Sequence, residues 1–204
     1  MARKSNEQSG LEFENEVRSF LQNFDFNDVK GGENFRISGK QIDAAFGTQS
    51  KTYVIVSCTT RNKSTSEGSI EHKINELKSW YNSLLDGLKS IDSLKNYNNL
   101  RLVLAIKGIT PTGRDKDLCR KEPKVYLWDE QFRDYYKALQ SKIGVYAKYE
   151  LQRELEIELD ESELSNLKNI PSLRITIKSG DFFYLTAAHR DLISMNDTIL
   201  AISL

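Results

Sequence analysis

The sequence predicts an α/β domain in which a mixed sheet is flanked by helices, and three observations carry that prediction. Apolar residues recur at intervals of three and four from Gly10 onward, which is typical of an amphipathic helix. Three short β-rich runs, FRISG, QIDAAFG and TYVIVSC, follow closely and favour an antiparallel meander or hairpins. Two more β-rich runs, LRLVLAIKG and KVYLWD, come after a long helical stretch, as expected of strands reached by a crossover helix.

The helices are predicted from apolar periodicity and from capping residues. The second helix should run from about Ile70 to Leu88, with Ser69 as its N-cap. Asp129 should cap an aromatic-rich helix, EQFRDYYKALQSKIG, and YAKYELQREL after Gly144 should form another. The charged segment between LRLVLAIKG and KVYLWD has the pattern of a loop with a short helix.

The domain organisation follows from shifts in composition. Residues 1–9 are expected to be a flexible arm, residues 10–155 the main domain, and residues 156–170 an acidic, polar linker. Residues 171–204 are expected to form a small C-terminal β-hairpin extension, turning at 179–180 and leading into a short helix. The final stretch, NDTILAISL, shows no clear pattern.

The composition argues against a membrane partner and favours a cytoplasmic location. The 204 residues carry 29 basic and 29 acidic side chains, so no net charge draws the chain to DNA or to an anionic membrane. No apolar run approaches the roughly 20 residues that a membrane helix needs, and we expect no membrane partner. Cys58 and Cys119 lie far apart without metal-ligand spacing, which indicates a reduced, cytoplasmic protein.

One acid and one strand end form the candidate functional site. Asp43 lies within an apolar β-rich run, where a carboxylate must be satisfied by some partner. The next run, KTYVIVSCTTR, ends in small polar residues and an arginine. Ser57 and Thr59 should share one face of the sheet because side chains alternate along a strand. Arg61 continues that spacing and would keep the same face.

These residues resemble a known family. GLEFENEVRSFL, GGENFRISGKQIDAAF and TYVIVSC are together similar to restriction-endonuclease-like domains of the PD-(D/E)xK superfamily. YLWDEQFRDYYKALQSKIGVYAKYELQREL and IPSLRITIKSGDFFYLTAAHRDLISM are similar to the N-terminal region of bacterial DGQHR-domain proteins, some of which are linked to DNA phosphorothioate modification and defence. The DGQHR motif itself is absent from this sequence.

The resemblance implies a metal site with two substitutions. It assigns the helical acid to Glu14 and the strand acid to Asp43, which would hold Mg²⁺ if the domain were active. The third-strand acid and lysine fall on Ser57 and Thr59, which supply neutral hydroxyls. An active enzyme would therefore need Arg61 or another relocated cation, and Lys73 and His72 are the candidates on the following helix.

Each candidate also has an ordinary structural interpretation. Glu14 could be a solvated helix charge, Arg61 a loop charge and His72 a helix-start residue. A cluster of basic residues after LRLVLAI could contact phosphates or could simply be a solvated loop, because acidic residues dilute it. Aromatic residues at helical spacing in the segment from 126 to 149 more often pack a core than stack on bases.

Three functions therefore stay open at the level of sequence. The first is a restriction-endonuclease-like domain with a degenerate metal site that binds DNA or docks a protein partner in a prokaryotic DNA-modification or defence setting. The second is an active, divalent-metal-dependent DNA endonuclease with a relocated catalytic cation. The third is a non-enzymatic interaction module.

Overall fold

The structure is a computed structural model of the chain. It describes residues 6–26, 28–60, 69–144, 146–163, 172–177, 182–186 and 199–203. By compactness the chain divides into two units, residues 1–135 and residues 136–204, and the division falls within a helix. The boundaries predicted from composition, at residues 156–170, stay a prediction.

In the first unit, four strands follow the first helix, and helices and strands alternate after them. Its helices are α1 (Asn6–Asn23), α2 (Ile70–Ser90), α3 (Gly113–Arg120) and α4 (Glu130–Ile143), the last of which continues into the second unit. Its strands are β1 (Arg36–Ile37), β2 (Lys40–Gln41), β3 (Ala44–Gly47), β4 (Thr52–Thr59), β5 (Asn99–Ile106) and β6 (Val125–Trp128).

A four-stranded mixed sheet in the order β3-β4-β5-β6 confirms the α/β class. Strand β3 is antiparallel to β4, while β4, β5 and β6 run parallel to one another. The crossover predicted for β5 is present, since α2 connects it to β4. Of the two arrangements expected for the first three β-rich runs, a meander or hairpins, the structure shows hairpins, β1 with β2 and β3 with β4. FRISG does not join this sheet but forms β1, which pairs with β2 in a separate two-stranded hairpin closed by Ser38 and Gly39, both at positive φ.

The core lies on both faces of the four-stranded sheet. On β4, Tyr53 and Ile55 pack in a cluster with apolar residues of α2, including Ile74 and Leu77. Because side chains alternate along a strand, Val54 and Val56 point to the opposite face. Helix α1 contributes its fully buried apolar stripe separately from the α2 cluster: Phe13, Val17, Phe20, Leu21 and Phe24.

The predicted capping residues are confirmed. Ser69 accepts a hydrogen bond from the backbone N–H of His72 at 3.1 Å and caps α2. Asp129 accepts one from the backbone N–H of Phe132 at 2.8 Å at the start of α4.

The outer edge of β3 is covered by the segment that precedes it in the chain. Lys30 and Ala45 form an antiparallel bridge through two backbone hydrogen bonds of 2.8 and 2.7 Å. The neighbouring N–H of Gly32 donates to the carbonyl of Ile42 at 2.9 Å. Gly31 lies so close to Asp43 that a Cβ there would sit 2.3 Å from the Asp43 carbonyl oxygen, so no larger residue fits without displacement.

The second unit contains α5 (Tyr146–Glu154) and a three-stranded antiparallel sheet in the order β8-β7-β9. The hairpin expected near the C-terminus is confirmed as β7 (Ser172–Ile177) paired with β8 (Phe182–Thr186). Strand β9 (Ile199–Ser203) was not predicted, because its segment lacks a clear alternation. The turn at 179–180 and the helix expected after the hairpin lie outside the described residues. Among the helices that the structure describes, none is long and apolar enough to cross a bilayer.

Candidate functional site

Strand register brings Asp43 to the carboxyl end of β4. Ala44, the first residue of β3, pairs with Val56. The residue before Ala44 therefore lies beside Ser57, because the two strands run in opposite directions. The structure corrects one detail of the sequence prediction, since Asp43 occupies a bend that directly precedes β3 and is not itself a strand residue.

The carboxylate of Asp43 is held by the end of β4. Its Oδ2 accepts a hydrogen bond from the backbone N–H of Cys58 at 2.7 Å and a longer one from Ser57 Oγ at 3.4 Å. Burial raises the pKa of Asp43 above its ordinary value, although these two hydrogen bonds and the charges of Lys73 and Arg18 oppose that rise. The backbone N–H of Cys58 thus makes the shorter of the two hydrogen bonds to this carboxylate.

Glu14 brings a second carboxylate to the same place from α1. Its side chain is 17% exposed, and its Oε2 lies 3.7 Å from Arg18 Nη1. Within the described part of the chain, that buried oxygen has no hydrogen-bond partner. Burial raises the pKa of Glu14, and the negative charge of Asp43 raises it further. Asp43 is therefore close enough to disfavour the ionisation of Glu14.

Arg18 contacts both residues: its guanidinium lies near the Glu14 carboxylate and bonds to the backbone of Asp43. Its Nη1 donates to the backbone carbonyl of Asp43 at 2.5 Å, and its Nη2 donates to Asn15 Oδ1 at 2.6 Å. The guanidinium lies over Gly32, whose missing side chain would begin 3.7 to 3.9 Å from it. Sequence reasoning missed this residue. The available signal was its i,i+4 spacing from Glu14, which favours an ion pair on one helix face.

The remaining predicted site residues have different positions. Thr59 is buried at the last position of β4, two residues beyond Ser57, and its carbonyl accepts from the backbone N–H of Lys107 at 3.1 Å. Arg61 lies outside the described residues. The side chain of Lys73 forms an ion pair with Glu76 at 2.7 Å, and its charge lowers the pKa of Asp43.

His72 does not join the group. It is exposed on the first turn of α2, where its backbone N–H donates to Ser69. The structure thus gathers Glu14, Asp43 and Ser57 at one strand end, with Lys73 within electrostatic range of Asp43.

Cys58 is a second residue that sequence reasoning did not assign to the site. Alternation along β4 directs its side chain to the face opposite Ser57. Burial raises the pKa of its thiol well above the ordinary value, and the nearby charges of Asp43 and Glu14 raise it further. The thiol is free and stays protonated at neutral pH, so it is not an activated nucleophile.

Arg133 on α4 is a buried cation at the same end of the sheet. It is 2% exposed, and its Nη1 donates to the carbonyls of Ile106 and Trp128 at 2.9 and 2.8 Å. These carbonyls belong to the last residues of β5 and β6, and the guanidinium also lies 4.8 Å from the Phe13 ring centroid. Arg133 therefore ties two strand ends to two helices.

The donor set does not fit a Mg²⁺ ion as it is arranged. Mg²⁺ is held by hard oxygen ligands in near-octahedral geometry. The acids brought together are Glu14 and Asp43, and one oxygen of Asp43 already accepts two hydrogen bonds. A guanidinium stands where a cation would approach Glu14. Across the residues that the structure describes, no group of three or more His, Cys, Asp or Glu side chains is arranged for a metal.

The basic residues after β5 are partly neutralised by acids. Lys107 Nζ lies 2.5 Å from Glu16 Oε2, and Arg114 lies 2.9 Å from Glu71. The aromatic residues of this region are divided between interior and surface. Trp128 and Tyr136 are buried, Tyr135 is 61% exposed, and Trp128 stacks on Phe132 with 5.3 Å between ring centroids. The other basic residues of this cluster with described exposure are exposed or half-buried: Lys116, Arg120, Lys121 and Lys124.

Comparisons of the chain with protein-family models, with curated proteins and with solved structures found no match.

Proposed function

We propose that this chain carries a restriction-endonuclease-like domain of the PD-(D/E)xK type whose metal site is degenerate, and that it binds nucleic acid without cleaving it. The setting that the sequence resemblance implies is prokaryotic DNA modification or defence. The observation that carries the proposal is the meeting of Glu14 and Asp43 at the carboxyl end of β4, beside the neutral Ser57.

The chemistry of these residues argues against cleavage. Phosphodiester hydrolysis by such a domain needs a metal that polarises the phosphate and activates a water molecule. Ser57 offers a neutral hydroxyl where a second strand acid would stand, and that hydroxyl is directed at Asp43. The buried Thr59 cannot supply the cation that would stabilise charge developing on the phosphate.

Binding to nucleic acid would use a local basic surface. The exposed or half-buried basic residues of α3 and the loop after it carry positive charge near one edge of the sheet: Arg114, Lys116, Arg120, Lys121 and Lys124. Their partial pairing with acids limits the number of phosphates they can neutralise. We therefore expect modest affinity that falls as salt concentration rises.

A cleavage assay tests the absence of catalysis. The purified protein is incubated with supercoiled DNA and Mg²⁺ or Mn²⁺, beside an Asp43→Asn variant that keeps the shape of the side chain. We expect no nicking by either protein. Divalent-dependent nicking that Asp43→Asn abolishes would overturn the proposal.

A binding titration tests the affinity for nucleic acid. Fluorescence anisotropy with labelled duplex DNA and labelled single strands is recorded over a range of salt concentrations. Binding with a negative salt slope is expected, and Lys121→Gln should weaken it while Lys89→Gln, an equivalent change on α2, should not. Absence of binding at low salt would instead support a protein-docking module.

One observation favours a second candidate function, an active endonuclease. Lys73 lies close enough to Asp43 for its charge to lower the pKa of that acid, so it could serve as a relocated catalytic cation. Its present ion pair with Glu76 would have to open. Nicking activity that both Asp43→Asn and Lys73→Met remove, and that Lys78→Met leaves intact, would identify this function.

A further inference from the structure

We infer that the guanidinium of Arg18 is a built-in counter-cation, which holds Glu14 and Asp43 together where a divalent ion would otherwise be needed and thereby keeps that ion out. The inference deepens the proposed function and rests on it, because it gives the reason why the acids do not recruit a metal. It concerns a side chain that neither the family resemblance nor the sequence patterns assigned to the site.

The first step is that the two acids need a positive charge. Both are largely removed from solvent, and the charge of Asp43 raises the pKa of Glu14. Two carboxylates in such a position repel each other when ionised. Arg18 lowers the pKa of each of them, and Lys73 contributes further to Asp43.

The second step is that the backbone is shaped around this arginine. The Asp43 carbonyl accepts from Nη1, and Asn15 accepts from Nη2, so both terminal nitrogens are fixed. Gly32 leaves room for the flat guanidinium, which lies at van der Waals distance from where a Cβ would stand. An arginine held at two nitrogens gives up little further mobility in remaining between the acids.

The third step is that this arrangement excludes a second cation. Glu14 Oε2 has no hydrogen-bond partner among the described residues, so it is the oxygen with capacity to spare. Arg18 Nη1 lies 3.7 Å from it. A divalent ion bound to this oxygen would therefore be repelled by the positive charge of the guanidinium. Removing the guanidinium should therefore uncover a divalent-cation site.

The test measures Mn²⁺ binding by isothermal titration calorimetry. The wild-type protein should show no saturable binding at millimolar Mn²⁺, while Arg18→Gln should bind at least tenfold more tightly. Arg153→Gln is the matched control, since it removes an exposed arginine that also pairs with an acid on its own helix, Glu150. Asp43→Asn added to Arg18→Gln should abolish the gain.

The outcomes separate this inference from the proposed function. If Arg18→Gln gains no affinity, or if the gain survives Asp43→Asn, the counter-cation idea is wrong while the non-cleaving domain stands. Metal-dependent nicking by the wild-type protein would overturn the proposed function itself.

A measurement on the wild-type protein covers the case in which Arg18→Gln does not fold. Mn²⁺ is titrated while backbone amide signals are followed by NMR. The amide of Cys58, which donates to Asp43, should broaden no more than that of Leu100 at the far end of the sheet. Selective broadening of the Cys58 signal would show that a metal already reaches the acids and would refute the inference.

Discussion

The two ends of the four-stranded sheet differ in chemistry. Where β4 begins, the buried polar groups are neutral: Thr48 Oγ1 bonds to the backbone of Thr52 at 3.1 and 3.3 Å, and the rings of Tyr53 and Tyr97 pack with centroids 4.9 Å apart. Where β4 ends, charges gather at the strand ends: Glu14, Arg18, Asp43 and Arg133.

The contrast between the two ends helps to separate residues that stabilise the fold from residues that could serve a function. The neutral end shows that hydroxyl groups and apolar packing are enough to close this sheet. Burying charges is costly and contributes little net stability compared with apolar packing. Ligands of open α/β sheets bind at the carboxyl ends of the parallel strands, so the concentration of charges there supports our proposal that this end carries the functional site.

Arg133→Ala should have the largest effect, because it removes the cation that ties the charged end together. The carbonyls of Ile106 and Trp128 would lose their charged donor inside the protein. We expect the free energy of unfolding to fall by about 3 kcal/mol or more in urea denaturation. Arg120→Ala, on the surface, should change it by less than about 0.5 kcal/mol, and equal effects of the two variants would contradict the structural role of Arg133.

Gly31→Ala should have the next largest effect. A Cβ at Gly31 would overlap the backbone of Asp43, and its φ of +141° is a region that other residues rarely adopt. We expect a loss of about 2 kcal/mol or more in the free energy of unfolding. Gly39→Ala, at φ +74° with open space around it, should cost only about 1 kcal/mol. The difference between the stability losses of the two variants gives the cost of the steric overlap with Asp43. Thermal unfolding measures both losses.

Glu14→Gln should change how stability depends on pH. The folded state raises the pKa of Glu14, so it binds the proton more tightly than the unfolded chain does. This contribution to stability is present below the ordinary pKa and is lost as pH rises through the raised value. Burial is the largest cause of the raised pKa; the negative charges of Asp43 and Glu33 raise it further, and Arg18 opposes the rise.

Glutamine does not ionise, so Glu14→Gln lacks the loss of stability that wild type shows as pH rises through the pKa of Glu14. The stability of Glu14→Gln relative to wild type should therefore increase between pH 4 and pH 7, by less than the effect of Gly31→Ala. Urea denaturation at several pH values measures the change. Glu12→Gln, two residues earlier on the exposed side of α1, is the control for the loss of one acidic side chain. If the difference between Glu14→Gln and wild type did not change with pH, the raised pKa of Glu14 would be contradicted.

Tyr53→Phe should have the smallest effect, at the neutral end. The hydroxyl of Tyr53 is buried, and no hydrogen-bond partner for it is found in the described part of the chain. Removing it should raise the free energy of unfolding by less than about 1 kcal/mol. Thr48→Val removes a bonded hydroxyl from the same end and should instead lower it by about 1 kcal/mol. If Tyr53→Phe were as destabilising as Thr48→Val, the hydroxyl of Tyr53 would have a partner after all.

Local signals in the sequence were enough for most of the elements. The apolar stripe of α1, the cap at Ser69 and the cap at Asp129 each act within one or two helical turns, so the residues themselves report them. The β-branched runs of β4 and β5 were equally clear. Strand β9 was missed because its partner β7 supplies the pairing, and pairing between distant segments leaves little trace in a short stretch.

The candidate site was only partly predictable for the same reason. Asp43 was noticeable as an acid in an apolar run, and its proximity to Ser57 followed from two adjacent strands. The backbone N–H of Cys58 carries no residue-specific signal, yet it makes the shorter of the two hydrogen bonds to the carboxylate of Asp43. Arg18 and Arg133 look like ordinary helix charges until the helices are placed against the strand ends.

The bridge between Lys30 and Ala45 has a consequence for how copies of this chain meet. An exposed strand edge offers unpaired N–H and C=O groups to any other extended chain, which is a common route to aggregation. Here the backbone of Lys30 occupies the N–H and C=O groups of Ala45 on β3, and the charged side chain of the same residue forms an ion pair with Asp28. Strand exchange through β3 would first require this short segment to peel away, carrying Gly31 and its contact with Asp43 along with it.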